Sequence, residues 1–286
     1  MFKNNSNTIW KLKKNLKSII FALFCLFICV YCLFPFYWAI VSSLKTSTDI
    51  FFSDLIPKHV TFSNYVNVMS DGTFVRSFLN SFIVATCTAL IALFVSFLAA
   101  YPLGRMNFKG NKCLMLSFLG CSTLPHVAVL SGMFELISVL NLYNTRMALI
   151  IAYMLATIPF TVWVLTGFMK SMPRELEEAA IMDGAGRMTI LFRVFMPIMM
   201  PSMVTTGLLA FITAWNEFLF ALTFTLTNNA RTVPVAIALF SGASQHELPW
   251  GLIMTASVIV TLPLIILVVV FQRKIISGLM AGAVKG

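Results

Sequence analysis

The sequence predicts an all-α membrane protein of six transmembrane helices with both termini in the cytoplasm, and three observations predict it. Hydrophobic residues make up 59% of the 286-residue chain and charged residues only 10%, against about 25% charged residues in an ordinary soluble domain. Cutting the chain at its charges leaves six long uncharged runs, residues 18–44, 77–104, 113–134, 147–169, 194–216 and 248–272, each meeting the ~20 residues that a helix needs to cross a bilayer. The cations are unevenly placed. With the N-terminus inside, Lys3, Lys11, Lys13, Lys14, Lys17, Arg105, Lys109, Lys112, Lys170, Arg174, Arg187, Arg193, Arg273, Lys274 and Lys285 are cytoplasmic, which is 15 of the 20. The other five are Lys45, Lys58, Arg76, Arg146 and Arg231. That asymmetry orients a membrane protein and accounts for the net charge of +10 without nucleic-acid binding.

The expected organisation is a cytoplasmic tail 1–17, a six-span domain 18–272, and a cytoplasmic tail 273–286. The spans fall at about 18–44, 77–104, 113–134, 147–169, 198–224 and 248–272. The apolar run after the basic N-terminus exceeds the 7–15 residues of a signal-peptide core, so it reads as a retained first span. In "CLFPFYW", Pro35 predicts a kink and Tyr37 and Trp38 predict aromatic anchoring at the outer interface. Cys25, Cys29 and Cys32 form C-x3-C-x2-C, a spacing known from iron–sulfur enzymes, but in mid-span with no polar companion they read as packing. No metal site is expected.

Span two carries Asn80, Ser81, Thr86, Thr88 and Ser96 among Ala85, Ala89, Ala92 and Ala99, a composition suited to close helix packing. Span three holds Pro125 and His126. Either the His lines a polar path, or it satisfies backbone groups freed by the Pro. Span four has Pro159. Span five ends with Trp215, Asn216 and Glu217, the most costly polar cluster in the chain. Together with Asn80 these are the candidate substrate path, since an aromatic face beside a carboxamide and a carboxylate suits sugar hydroxyls; the competing reading is an interhelical polar clamp. A seventh run, 232–246, is too short to span and reads as a surface or interfacial helix.

Four of the ten acids, Glu175, Glu177, Glu178 and Asp183, sit in "PRELEEAAIMDGAGRMTILFRVFMP". Pro173 followed by acids predicts a helix start, with Glu175 and Glu177 serving initiation and solvation. Asp183-Gly184 predicts a turn, and a second helix is expected to run to Pro197. The product is a helical elbow over 171–197 at the cytoplasmic face. Ala179 and Ala180 offer a smooth patch where another backbone can approach, and the acids call for a basic partner.

The order Glu178-Ala179-Ala180, three residues, Gly184, nine residues, Val194-x-Met196-Pro197 resembles the E-A-A-x3-G-x9-I-x-L-P signature of permease subunits in bacterial ABC importers, with Val for Ile and Met for Leu. "SFLNSFIVA", "AAYPLGRMNFKG", "AWNEFLFAL" and "GLMAGAVKG" resemble the smaller permease of maltose-type sugar importers. The resemblance implies a type I ABC importer permease fold in the bacterial inner membrane. It also implies a second permease subunit, two ATPase subunits and an extracytoplasmic sugar-binding protein as partners, beside membrane lipid and the sugar. On that resemblance the elbow is the coupling helix, with Glu178, Ala179, Ala180, Asp183, Gly184 and Pro197 at the ATPase, and Gly278, Gly282, Lys285 and Gly286 form a tail reaching the ATPase subunits. The outside segment of about 226–250 corresponds to one that probes the binding protein. No G-x-x-x-x-G-K-[ST] loop and no Gly-Lys pair occur in the chain. It is therefore expected to have no catalytic residues and no cofactor of its own, ATP and Mg being held by the partner ATPase. A stand-alone transporter or channel is the alternative reading.

Overall fold

The computed structural model describes residues 3–46, 48–240 and 248–283, with side chains described over residues 15–272 apart from 47, 51 and 241–247. The described residues are helical, with no strand among them. Five helices are long and apolar enough to cross a membrane, and a sixth candidate is a bent pair. The chain divides into two compact units, residues 1–68 with 241–259 and residues 69–240 with 260–286.

The first unit contains α1 (Lys3–Ser43), whose most apolar stretch buries none of its residues, while Val41, Ser42 and Ser43 at its end are buried. The helix continues for eight residues past Pro35. Its end is closed by α2 (Ser63–Ser70): the Asn64 Nδ2 group donates to the carbonyls of Ser43 and Lys45, both at 3.0 Å, and the Ser43 and Tyr65 hydroxyls lie 2.8 Å apart. Lys45 is fully buried. Its ammonium donates to the Phe52 carbonyl at 2.8 Å and lies 4.8 Å from the Trp38 ring centroid, so Trp38, expected as an interfacial anchor, also holds a cation.

The second unit is built on α3 (Gly72–Arg105), α6 (Arg146–Ser171) and α9 (Met196–Trp215). Asp71 caps α3 by accepting from the Thr73 N–H at 2.9 Å, and Thr145 caps α6 by accepting from that of Ala148 at 3.2 Å. Along α3 the buried stripe is small or hydroxylated, including Ser77, Ser81, Ala85, Thr88, Ala92, Ser96 and Ala100, while Leu79, Phe82, Leu90 and Phe94 are exposed. This inversion belongs to a bilayer helix: lipid accepts the large side chains, and small ones let backbones approach. At Gly104 an added Cβ would come within 2.8 Å of Met169 Cβ, so α3 and α6 touch nearly backbone to backbone there.

Two cores result, one at each end of this unit. One gathers Phe97, Tyr101, Leu165, Met169, Ile190, Leu191, Phe195 and Met199. The other gathers Val84, Ile137, Tyr153, Phe211, Trp215, Phe220 and Phe224.

Several expectations are corrected. The third span is a pair of helices, α4 (Asn111–Ser122) and α5 (His126–Val139), bent by 96° at Thr123–Pro125. Pro125 disfavours a helical residue before it and takes an extended conformation at the start of α5, so one helix cannot run through. The elbow's second arm does not stop at Pro197. α8 (Arg187–Thr189) passes through a π-helical turn, Ile190–Phe195, directly into α9, giving 29 continuous residues from Arg187 to Trp215. Pro197 cannot donate to the Arg193 carbonyl, and the wider turn precedes it as the ladder is disrupted. The fifth span does not extend unbroken to 224, because α10 (Leu219–Phe224) starts afresh after Glu217. The short seventh run becomes α11 (Val233–Ala238), which buries Val233 and Val235 and packs on α3 rather than lying at a surface.

Candidate functional site

The elbow grows out of α6. After Ser171 the chain extends through Met172, and α7 (Glu175–Met182) begins two residues beyond Pro173. Its three acids occupy the first turn, where the helix dipole favours negative charge. Its C-terminus is closed by two hydrogen bonds: the Ala185 N–H to the Ala180 carbonyl and the Gly184 N–H to the Ile181 carbonyl, both 2.9 Å. This is the Schellman closure, and it requires a left-handed residue that Gly184 supplies with φ +78°. Ala180 and Ala185, the pair expected to touch in such a closure, both pack onto the Phe97–Phe195 core.

The signature residues therefore divide. Glu178, Ala179 and Asp183 are exposed, and so is Gly184. Ala180 turns inward and fixes the elbow's angle. Beside the exposed acids lie Ile181 and Met182, the latter 86% exposed, and Met188 across the bend. An apolar patch with a carboxylate edge on an immobilised short helix is a docking surface in form. Pro197 sits away from it, in the first turn of α9.

Glu177 departs from its expected role. It accepts a hydrogen bond from the Tyr101 hydroxyl on Oε1 at 2.9 Å, and its Oε2 is 3.8 Å from Arg105 Nε. The Arg105 guanidinium also donates to the Pro173 carbonyl at 3.4 Å and lies 4.8 Å from the Phe195 ring centroid. Tyr101 and Arg105 went unsuspected although their i, i+4 spacing in the last turn of α3 placed two polar groups on one face.

At the other end of the unit the candidate path residues are not gathered around a common opening. Trp215 is buried, stacked on Phe211 at 5.5 Å and edge-on to Phe78 at 5.6 Å. The Glu217 carboxylate accepts from the N–H groups of Phe220 at 2.8 Å and Ala221 at 3.1 Å, capping α10, with Tyr153 and His126 nearby. Asn80 donates to the carbonyls of Asn229 and Arg231 at 3.0 and 2.9 Å and holds the following loop. Asn216 alone of the four is exposed. The loop is also pinned by Asn144, whose side-chain oxygen accepts from the N–H groups of Leu226 and Thr227 at 2.9 and 3.0 Å.

Gly278 and Gly282 fall in the last turns of α12 (Trp250–Ala283), while Lys285 and Gly286 lie outside the described residues. Cys25, Cys29 and Cys32 are free thiols on α1, and no cluster of His, Cys, Asp or Glu fit to hold a metal occurs among the described residues.

Residues 92–280 match the family described as the binding-protein-dependent transport system inner membrane component. The chain is 42% identical to the trehalose/maltose transport system permease protein MalG of Thermococcus litoralis, over 95% of this chain and 98% of that one. It is 37% identical to the trehalose transport system permease protein SugB of Mycobacterium tuberculosis, over 90% and 93% of the two chains. Among solved structures, a chain of a bacterial ABC transporter that imports the acidic polysaccharide alginate superposes with TM-score 0.80 over 91% of this chain and 97% of that one, at 21% identity. The elbow, its Gly184 closure and the helices that carry it all fall within the matched residues, and the chain belongs to the family of binding-protein-dependent transport system inner membrane components, the permeases of ABC transporters.

Proposed function

We propose that this chain forms half of the translocation path of an ATP-driven, binding-protein-dependent carbohydrate importer in the bacterial inner membrane, with six spans and both termini cytoplasmic. The observation that carries it is the elbow: a helix too short to be stable alone, held at a fixed angle, presenting Glu178, Ala179, Met182 and Asp183 outward. Such a surface needs a partner with a basic rim and an apolar cleft. Two ATPase subunits fit that need, and they would hold ATP and Mg, while this chain binds no cofactor. A second permease completes the path, and an extracytoplasmic solute-binding protein delivers the cargo. The relatives named for trehalose and maltose support a sugar as that cargo.

In this reading closure of the ATPase pair pushes the elbow, and the continuous helix from Arg187 carries the displacement to the far end of the bundle. Coupling is reciprocal, so the loaded binding protein biases the ATPases in turn. Asn216 is the path residue best placed to meet the sugar, and the tail with Gly278, Gly282, Lys285 and Gly286 supplements the ATPase contact.

The test is co-expression with candidate partner subunits and reconstitution into liposomes. Glu178→Lys and Gly184→Pro are expected to leave the chain inserted while ATPase co-purification and ATP-dependent sugar uptake fall at least about tenfold. Sugar flux through the purified chain alone, undiminished by these changes, would instead establish a stand-alone transporter.

A further inference from the structure

Three side chains bind the elbow to a helix with which it is not contiguous in sequence. Glu177 is the α7 acid drawn inward, 76 positions along the chain from Tyr101. Both of its oxygens are engaged, by the Tyr101 hydroxyl at 2.9 Å and by Arg105 at 3.8 Å. The Arg105 side chain is 4% exposed, sandwiched between that carboxylate, the Pro173 carbonyl and the Phe195 ring. It thus contacts the chain on both sides of the bend, before α7 and within the π-helical turn. Gly104, next to it, fixes α3 against Met169 of α6 at a separation that admits no Cβ.

We infer that Glu177, Tyr101 and Arg105 form a clamp that positions the elbow and makes α3 move with it. Without the clamp, the elbow's displacement enters the bundle through the covalent ends of α7 and through the apolar packing of Ala180 and Ala185 on the Phe97–Phe195 core. With it, α3, which packs along both α6 and α9, is also engaged by directional polar bonds at the same point. A charge-assisted hydrogen bond from the Tyr101 hydroxyl to the part-buried Glu177 carboxylate is strong enough to carry such a role, and Arg105 left without its carboxylate would be a buried, unpaired cation. These are positioning residues: the Glu177 carboxylate is directed at Tyr101 and Arg105, and its side chain is only 20% exposed. The inference rests on the elbow being the element that meets the ATPases.

The experiment uses the assembled transporter in lipid nanodiscs and liposomes, with Glu177→Gln, Tyr101→Phe, and Glu175→Gln as an exposed control. Two quantities are read: hydrogen exchange of the α7 amides, and sugar transported per ATP hydrolysed. The clamp predicts α7 exchange at least about tenfold faster in Glu177→Gln and Tyr101→Phe, with the control unchanged. It also predicts that sugar carried per ATP falls about five- to tenfold while the ATPases still co-purify. Unchanged α7 exchange in both variants overturns the clamp. Faster exchange with unaltered sugar per ATP overturns its role in coupling. Loss of neither ATPase binding nor uptake in Glu178→Lys overturns the docking reading on which it rests, independently of the exchange data.

Discussion

At Gly184 and Gly104 the same residue type serves opposite needs, and substitution separates them. An added Cβ at Gly184 meets nothing within 4 Å, so the cost of replacing it is the left-handed backbone alone. Gly184→Asn should lower stability by less than about 1 kcal/mol and Gly184→Val by about 2 kcal/mol or more, read as thermal unfolding midpoints in detergent. At Gly104 the obstruction is Met169 Cβ and Cγ, both at 2.8 Å. Gly104→Ala should therefore destabilise by about 1–3 kcal/mol, and Met169→Ala should not rescue it, because the Cβ remains. Glu217→Gln should be milder than Glu217→Leu, which strands two buried N–H groups at about 1–3 kcal/mol, measurable by the same midpoint. Outside the spans, the Asp49 carboxyl is held below its usual 3.8 by the Thr46 hydroxyl and then by His59. Its contribution is complete above that ordinary value and disappears as pH falls through the lowered one, so acid taken below 3.8 should loosen the 49–59 segment in exchange measurements and about pH 5 should not. Most of these residue roles were hidden in the sequence. That Glu177 rather than Glu178 turns inward depends on Tyr101, which no local pattern connects to it. Trp215, Asn216 and Glu217 are adjacent in sequence, yet one is core, one is exposed and one caps a helix.

Elements were more legible, since they follow from composition and from local chemistry. The small-residue stripe of α3, the acids at the start of α7 and the glycine at its end each carry their cause within a few residues. Two of the corrected elements lie at Pro125 and Pro197. Pro35 sits within a helix that continues, Pro125 breaks one by 96°, and Pro197 follows a π-helical turn. A missing N–H is the same defect in all three, and the neighbours decide the outcome: at Pro125 the preceding Thr123 and Leu124 end a hydrogen-bonded turn, whereas Pro197 lies two residues after a widened turn that relieves the clash. Pro125→Ala is accordingly expected to straighten the α4–α5 junction, lengthening the distance between spin labels at residues 116 and 134 in a cysteine-free background. If that distance is unchanged, packing and not Pro125 sets the bend.

For the whole molecule, the distribution of cations predicts sidedness. Lys58→Cys should react with a membrane-impermeant maleimide in intact cells and Lys109→Cys only after permeabilisation; the reverse pattern would invert the topology. The continuous helix from Arg187 to Trp215 has a mechanical consequence. Its 29 residues amount to a rod of about 43 Å, so a tilt of about 10° applied at one end sweeps the other through roughly 7 Å. No hinge loop intervenes to dissipate that sweep; the π-helical turn lies at the elbow end beside Arg105, and Pro201 lies inside the helix beyond it. In the proposed coupling, the aromatic cluster of Phe211, Trp215 and Phe78 stands at the end of the lever far from the elbow, where the stroke is largest and where a gate would need the least force to hold it shut.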